Sequence, residues 1–112
     1  PTVVQVIPLD NYHVQVFFDD GKIVDYDTTE NLKAAIFEPL RDIKKFKNAC
    51  TVMNGTLAWD ISGKMDETEC IDIDPFTLYE LNAINSLIIS YLFVRLMYFK
   101  RGCTNIHLKI NV

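Results

Sequence analysis

Hydrophobic and polar positions alternate along the first quarter of the chain. Val3-Val4-Gln5-Val6-Ile7 is rich in β-branched side chains and is closed by Pro8, which cannot donate to a ladder, so a first strand is predicted there. Tyr12, Val14, Val16 and Phe18 fall on one face of a second strand, with His13 and Gln15 on the other. Asp19-Asp20-Gly21 supplies a tight turn, because Gly takes positive φ at no steric cost, and Ile23, Val24 and Tyr26 carry the return strand. Further along, Val52 and Thr56-Leu57-Ala58-Trp59 predict two short strands joined through Asn54-Gly55, a pair suited to a type I′ turn. Cys70-Ile71-Asp72-Ile73 reads as a short edge strand after the polar loop from Ser62 to Glu69.

The period then changes. Asp27-Thr28-Thr29-Glu30 has the form of a capping box and predicts a short helix to about Phe37, with Leu32, Ala35 and Ile36 inward and Pro39 ending it. Arg41 to Lys47 reads as a connection whose Leu40, Ile43 and Phe46 tuck under the sheet. Asp74-Pro75 is a helix start, and Lys100, Arg101 and Gly102 form a helix end, so a long helix is expected over 75–102. At 1.5 Å per residue its roughly 25 residues span about 37 Å. Ile106, Leu108, Ile110 and Val112 alternate with polar residues, predicting a final strand over 104–112. The expected fold class is α+β, in one domain over 1–112. A sheet-rich body (1–75) holds a small antiparallel sheet and a short helix, and the long C-terminal helix and last strand follow.

From Leu87 the expected helix is apolar nearly all round, while Asn82, Ser86 and Ser90 leave only a narrow polar stripe. A helix on a small sheet buries one stripe, so something is expected to cover the remainder. Asn82, Asn85, Ser86, Ser90 and Arg95 keep the apolar run short of the roughly 20 residues that a membrane span needs. The expected cover is therefore a second copy of the chain, in a symmetric homodimer, or a protein partner. Leu81, Ile84, Ile88, Leu92, Arg95, Leu96 and Phe99 are the interface candidates.

Composition narrows the function classes. With 49% hydrophobic and 12% aromatic residues in 112, and only 4 Gly and 4 Pro, the chain is neither disordered nor collagen-like. The net charge of −4 opposes a broad electrostatic grip on nucleic acid, and no direct nucleic-acid binding is expected. That total hides a split. Residues 1–75 carry 7 Lys and Arg against 14 Asp and Glu, whereas 76–112 carry 4 against 1. Cys50, Cys70 and Cys103 are too widely spaced for a zinc or redox motif, and Pro1 leads straight into a strand. Reduced thiols and a cytoplasmic location are therefore expected.

Candidate chemistry is sparse. No phosphate loop, dinucleotide fingerprint, zinc-protease helix or nucleophile elbow is present in the sequence. His13 and His107 fall on polar phases of predicted strands and read as surface histidines. Asp66, Glu67, Glu69, Asp72 and Asp74 lack the order and the central Gly of a calcium loop, and they read as a solvated loop and a helix cap. Arg41, Lys44, Lys45 and Lys47 form a basic run around Phe46 that Asp42 interrupts, and Trp59 reads as core. No enzyme is expected, and no cofactor or metal.

The order of these signals resembles a family of small bacterial proteins, DUF2442, whose function is unknown. The resemblance rests on Val3–Pro8, Tyr12 to Phe18 with Asp20-Gly21, Tyr26-Asp27, Phe37-Glu38-Pro39-Leu40 with Phe46, Trp59-Asp60, and Ile73-Asp74-Pro75 with Leu78-Tyr79. It covers about the first 80 residues, and the stretch from Ser62 to Ile71 is longer than the family's pattern. The resemblance implies a small α+β domain without assigned catalytic residues. It also implies a neutralising, antitoxin-like role beside an operon-encoded protein partner in a two-gene module. Some members continue into a helix-turn-helix, but residues 80–101 here contain neither Gly nor Pro, so DNA reading is not carried over. The expected function is a non-enzymatic protein-binding domain, with a structural or regulatory homodimer as the alternative.

Overall fold

A computed structural model describes residues 1–84. Two antiparallel three-stranded sheets make up the body. The first runs in the order β1 (Val3–Pro8), β2 (His13–Phe18), β3 (Ile23–Asp27), and the second β4 (Cys50–Met53), β5 (Thr56–Asp60), β6 (Cys70–Asp72). The expected single sheet is thus two. They meet where Val3 donates its N–H to the Gly55 carbonyl at 2.8 Å and Asp19 donates to Thr2 at 2.9 Å, seating the start of β1 on the β4–β5 turn.

Both hairpins form where the residues demand them. Phe17 pairs with Ile23 and His13 with Asp27, leaving Asp19-Asp20-Gly21 to reverse the chain with Gly21 at φ 93°. Asn54 and Gly55 both take positive φ, 53° and 70°, as a type I′ turn requires, and Met53 pairs with Thr56 across them. β2 alternates as its pattern predicts, with Val14, Val16 and Phe18 buried and the residues between them half-buried.

Between the sheets the helical segments differ from expectation. Asp27 accepts from the N–H and hydroxyl of Thr29, while Glu30 reaches forward to Lys33 at 3.0 Å, so the capping box does not close. Short 3₁₀ turns follow at Asn31–Lys33 and Ala35–Arg41, the second with Pro39 inside it. The expected connection is instead α1 (Ile43–Ala49), whose N-cap Asp42 accepts from the Lys44 N–H.

One hydrophobic core serves both sheets. Val14, Val16, Phe18 and Val24 meet Leu57 and Trp59 of β5, with Phe37, Leu40 and Phe46 closing one side and Ile73 and Leu78 another. Trp59 is fully buried, its ring centroid 5.9 Å from that of Phe37 and 5.6 Å from that of Phe46. Its indole N–H has no hydrogen-bond partner among the described residues, a cost of about 1–3 kcal/mol that the ring contacts and buried area offset.

The long C-terminal helix is the expectation that the structure overturns. α2 starts as predicted, with Asp74 accepting from the Phe76 N–H and Pro75 in the first turn, but it spans only Pro75–Tyr79. The reason lies in the β2–β3 hairpin. Lys22 donates its ammonium to the Tyr79 carbonyl, and Ile84 gives its N–H to Ile23 at 2.9 Å instead of to a helical carbonyl. The Tyr79 hydroxyl donates to Asp20, and its ring meets Phe18 edge-on at 4.9 Å. Partners on the hairpin therefore replace the bonds that would propagate the helix. Residues 80–84 thus do not continue the helix; the rest of the expected helix, 85–102, and the final strand expected over 104–112 lie outside the described residues.

Candidate protein-binding surface

An acidic stretch follows β5. Asp60 organises the turn there, accepting from Ser62 and Gly63 on Oδ1 and from Met65 on Oδ2. Asp66 then caps a 3₁₀ turn at Glu67–Glu69, and β6 brings Asp72 to the outer edge of the second sheet, beside the cap Asp74. Hydrogen bonds from the Thr68 hydroxyl and N–H hold the Asp66 carboxyl below its ordinary range, so it stays ionised well into acid. Glu67, Glu69, Asp72 and Asp74 are exposed. Exposed apolar residues occur in the same stretch of sequence, with Phe76 63% exposed, Met65 57% and Ile61 42%. Over residues 1–84 as a whole, 7 Lys and Arg face 15 Asp and Glu.

The interface candidates are divided. Leu81 is half-buried and packs against the core, and Ile84 is half-buried with its N–H bound to Ile23. Ile88, Leu92, Arg95, Leu96 and Phe99 lie outside the described residues, as do Cys103 and His107.

His13 is more engaged than a lone surface histidine. Its Nδ1 lies 2.7 Å from Asp25 Oδ2 and its Nε2 lies 3.7 Å from Asp27 Oδ1, with the ring about a quarter exposed. The hairpin register could have revealed this, since it sets Asp27 opposite His13 and Asp25 on the adjacent diagonal. The Thr29 N–H and hydroxyl hold Asp27 below the usual carboxylate range. No group of three or more His, Cys, Asp or Glu among the described residues is placed to hold a metal ion.

The described thiols are not activated. Burial pushes Cys50 up to about 12, and burial with the nearby Asp72 charge raises Cys70, so neither offers a thiolate near neutral pH. The basic run is spread over separate tasks. Lys47 pairs with Asp10 at 2.7 Å, Arg41 donates its Nε–H to the Leu32 carbonyl, and Lys45 borders a groove. Among the described residues no helix is long and apolar enough to cross a membrane.

Two small antiparallel sheets around one core, with an acidic strand at the edge of the second, define a small two-sheet domain. Residues 3–83 match the model of a family described as protein of unknown function (DUF2442), and the chain belongs to that family. No curated protein and no solved structure matches it.

Proposed function

We propose that this is a non-enzymatic protein-binding domain that covers a basic partner with the acidic strand edge around β6. In a two-gene module it would be the neutralising, antitoxin-like member. The observation that carries the reading is the concentration of Glu67, Glu69, Asp72 and Asp74 at a sheet edge, with the exposed Met65 and Phe76 nearby in sequence. Interfaces pair an apolar centre with a charged rim, and like-signed charge on one face steers an oppositely charged protein and rejects others.

The test is a pull-down of the tagged full chain from its native host at low salt, with bound proteins identified and their stoichiometry measured. One basic protein retained near 1:1 supports the reading. A bait that emerges alone at dimer mass contradicts it and favours the homodimer.

A further inference from the structure

The first sheet has a second face, turned away from the core. Antiparallel pairing sets Ile7 and Asp25 on either side of Gln15, and Phe17 opposite Ile23. Side chains alternate between faces, so these residues share one side while Val14, Val16 and Val24 line the core on the other. That outer side is partly covered. Ile23 is only 9% exposed although it lies outside the core cluster, and Ile7, Gln15 and Phe17 are half-buried. Its charge is acidic. Asp25 and Asp27 flank His13 there, so even a protonated imidazole leaves a net negative charge.

The chain itself leads to this face. β3 is an outer strand, and the bonds from Phe18 to Lys22 and from Thr28 to Tyr12 fix its alternation, so the Ile23 carbonyl points away from β2. Ile84 gives its N–H to that carbonyl at 2.9 Å. Residues 85–112 follow in the sequence with 4 Lys and Arg, no Asp or Glu, and an apolar run over 87–99 that only Ser90 and Arg95 interrupt. Three strands are about 10 Å across, and roughly ten residues of chain cover about 15 Å even at a helical rise.

We propose that residues 87–99 dock on this outer face of their own chain, with apolar side chains over Ile7, Phe17 and Ile23 and basic neighbours toward Asp25 and Asp27. Attachment at Ile84 holds the segment at a millimolar effective concentration, which favours it over a second copy or a free partner. The acidic edge around β6 belongs to the other sheet, so the inference stands independently of the protein-partner reading.

The test places the photo-reactive residue p-benzoylphenylalanine at Gln15, in the middle of the face, and separately at Lys64, in the loop after β5, as a control. Each full-length variant is irradiated as an equal mixture of light- and heavy-isotope chains, and cross-linked peptides are identified by mass spectrometry. Cross-links from position 15 should fall on residues 85–112 and join peptides of one isotope, and position 64 should give none to that segment. Mixed-isotope pairs assign the face to a second copy and overturn the proposal. So does an absence of cross-links to 85–112, or equal cross-linking from position 64. A second reading leaves the face unaltered and uses Leu92→Asp with Phe93→Asp. The methyl signals of Ile7 and Ile23 should then move toward those of solvent-exposed isoleucine, while Leu40 and Leu57 in the core keep theirs. Unchanged Ile7 and Ile23 signals overturn the proposal. A variant that unfolds loses the core signals as well, and the cross-linking then decides.

Discussion

Phe46 ties the two sheets into one folding unit, so its removal should be felt on both. The ring is fully buried, meets Tyr12 edge-on at 5.2 Å and lies 5.6 Å from Trp59, which places it between the β2 end of the first sheet and the middle strand of the second. Phe46→Ala deletes this area and leaves a cavity that close-packed neighbours fill only in part, for about 3–5 kcal/mol. Each lost ring pair accounts for about 0.5–1.5 kcal/mol beyond area. A domain of this size has roughly 5–10 kcal/mol in total, so the variant should remain folded in water with little reserve. With a urea slope of about 1.5 kcal/mol per molar, the midpoint should fall by about 2–3 M. The assay is urea denaturation of parent and variant, read residue by residue from amide signals on β2 and β5. Both strands should lose structure in one transition at the same lowered midpoint. Phe46→Leu, which keeps most of the volume, should cost less than about 1.5 kcal/mol. A midpoint that falls for β5 while β2 keeps the parent value would refute the shared core.

Four further outcomes follow from the same geometry. Hydrogen bonding from the Tyr79 hydroxyl lowers the Asp20 carboxyl, so this contact stabilises the fold above the ordinary carboxylate pKa and is lost as pH falls through the lowered value. Acid titration of Tyr79→Phe should show a flatter loss of stability below about pH 4 than the parent. Cys50 behaves oppositely. Its thiol pKa is raised from 9.0 to about 12, so this contribution is present below pH 9 and declines as pH climbs above it, as denaturation curves between pH 8 and 11 should show. Gly55→Ala should cost about 1–2 kcal/mol in thermal or urea unfolding, because φ is +70° and the new Cβ would sit 3.3 Å from Thr2 Cγ2 at the junction of the sheets. Asp42→Ala should cost about 1 kcal/mol by removing the α1 cap, and Asp42→Asn should recover most of it.

What the sequence made legible was local. The β2–β3 hairpin, the Asn54-Gly55 turn and the Asp74-Pro75 helix start each depend on a few adjacent residues whose backbone preferences agree, and each formed. Trp59 was readable as core because a domain this small needs its area. α1 was missed because Ile43 and Phe46 give too short a periodic pattern amid four basic residues to separate a helix from a connection. The division into two sheets depends on strand neighbours distant in the chain, which alternation does not encode. The end of α2 is the sharpest case. Nothing between Glu80 and Ile84 breaks a helix, and the stop comes from Lys22 and Ile23, more than fifty residues earlier. His13 failed as a simple surface histidine for a related reason, since its carboxylates lie on the next strand.

The acidic edge makes the central claim, and neutralising it tests that claim most directly. Glu67→Gln, Glu69→Gln and Asp72→Asn alter three exposed residues, none of which caps a helix, so the folded core should be untouched. The measurement is the affinity of the captured basic partner for parent and triple variant across a salt series. Screening shortens the reach of surface charge from about 10 Å at 0.1 M to about 3 Å at 1 M. The parent should therefore weaken steeply with salt, while the triple variant should bind more weakly at low salt and respond little to added ions. Equal affinity and equal salt dependence in the two proteins would contradict the account.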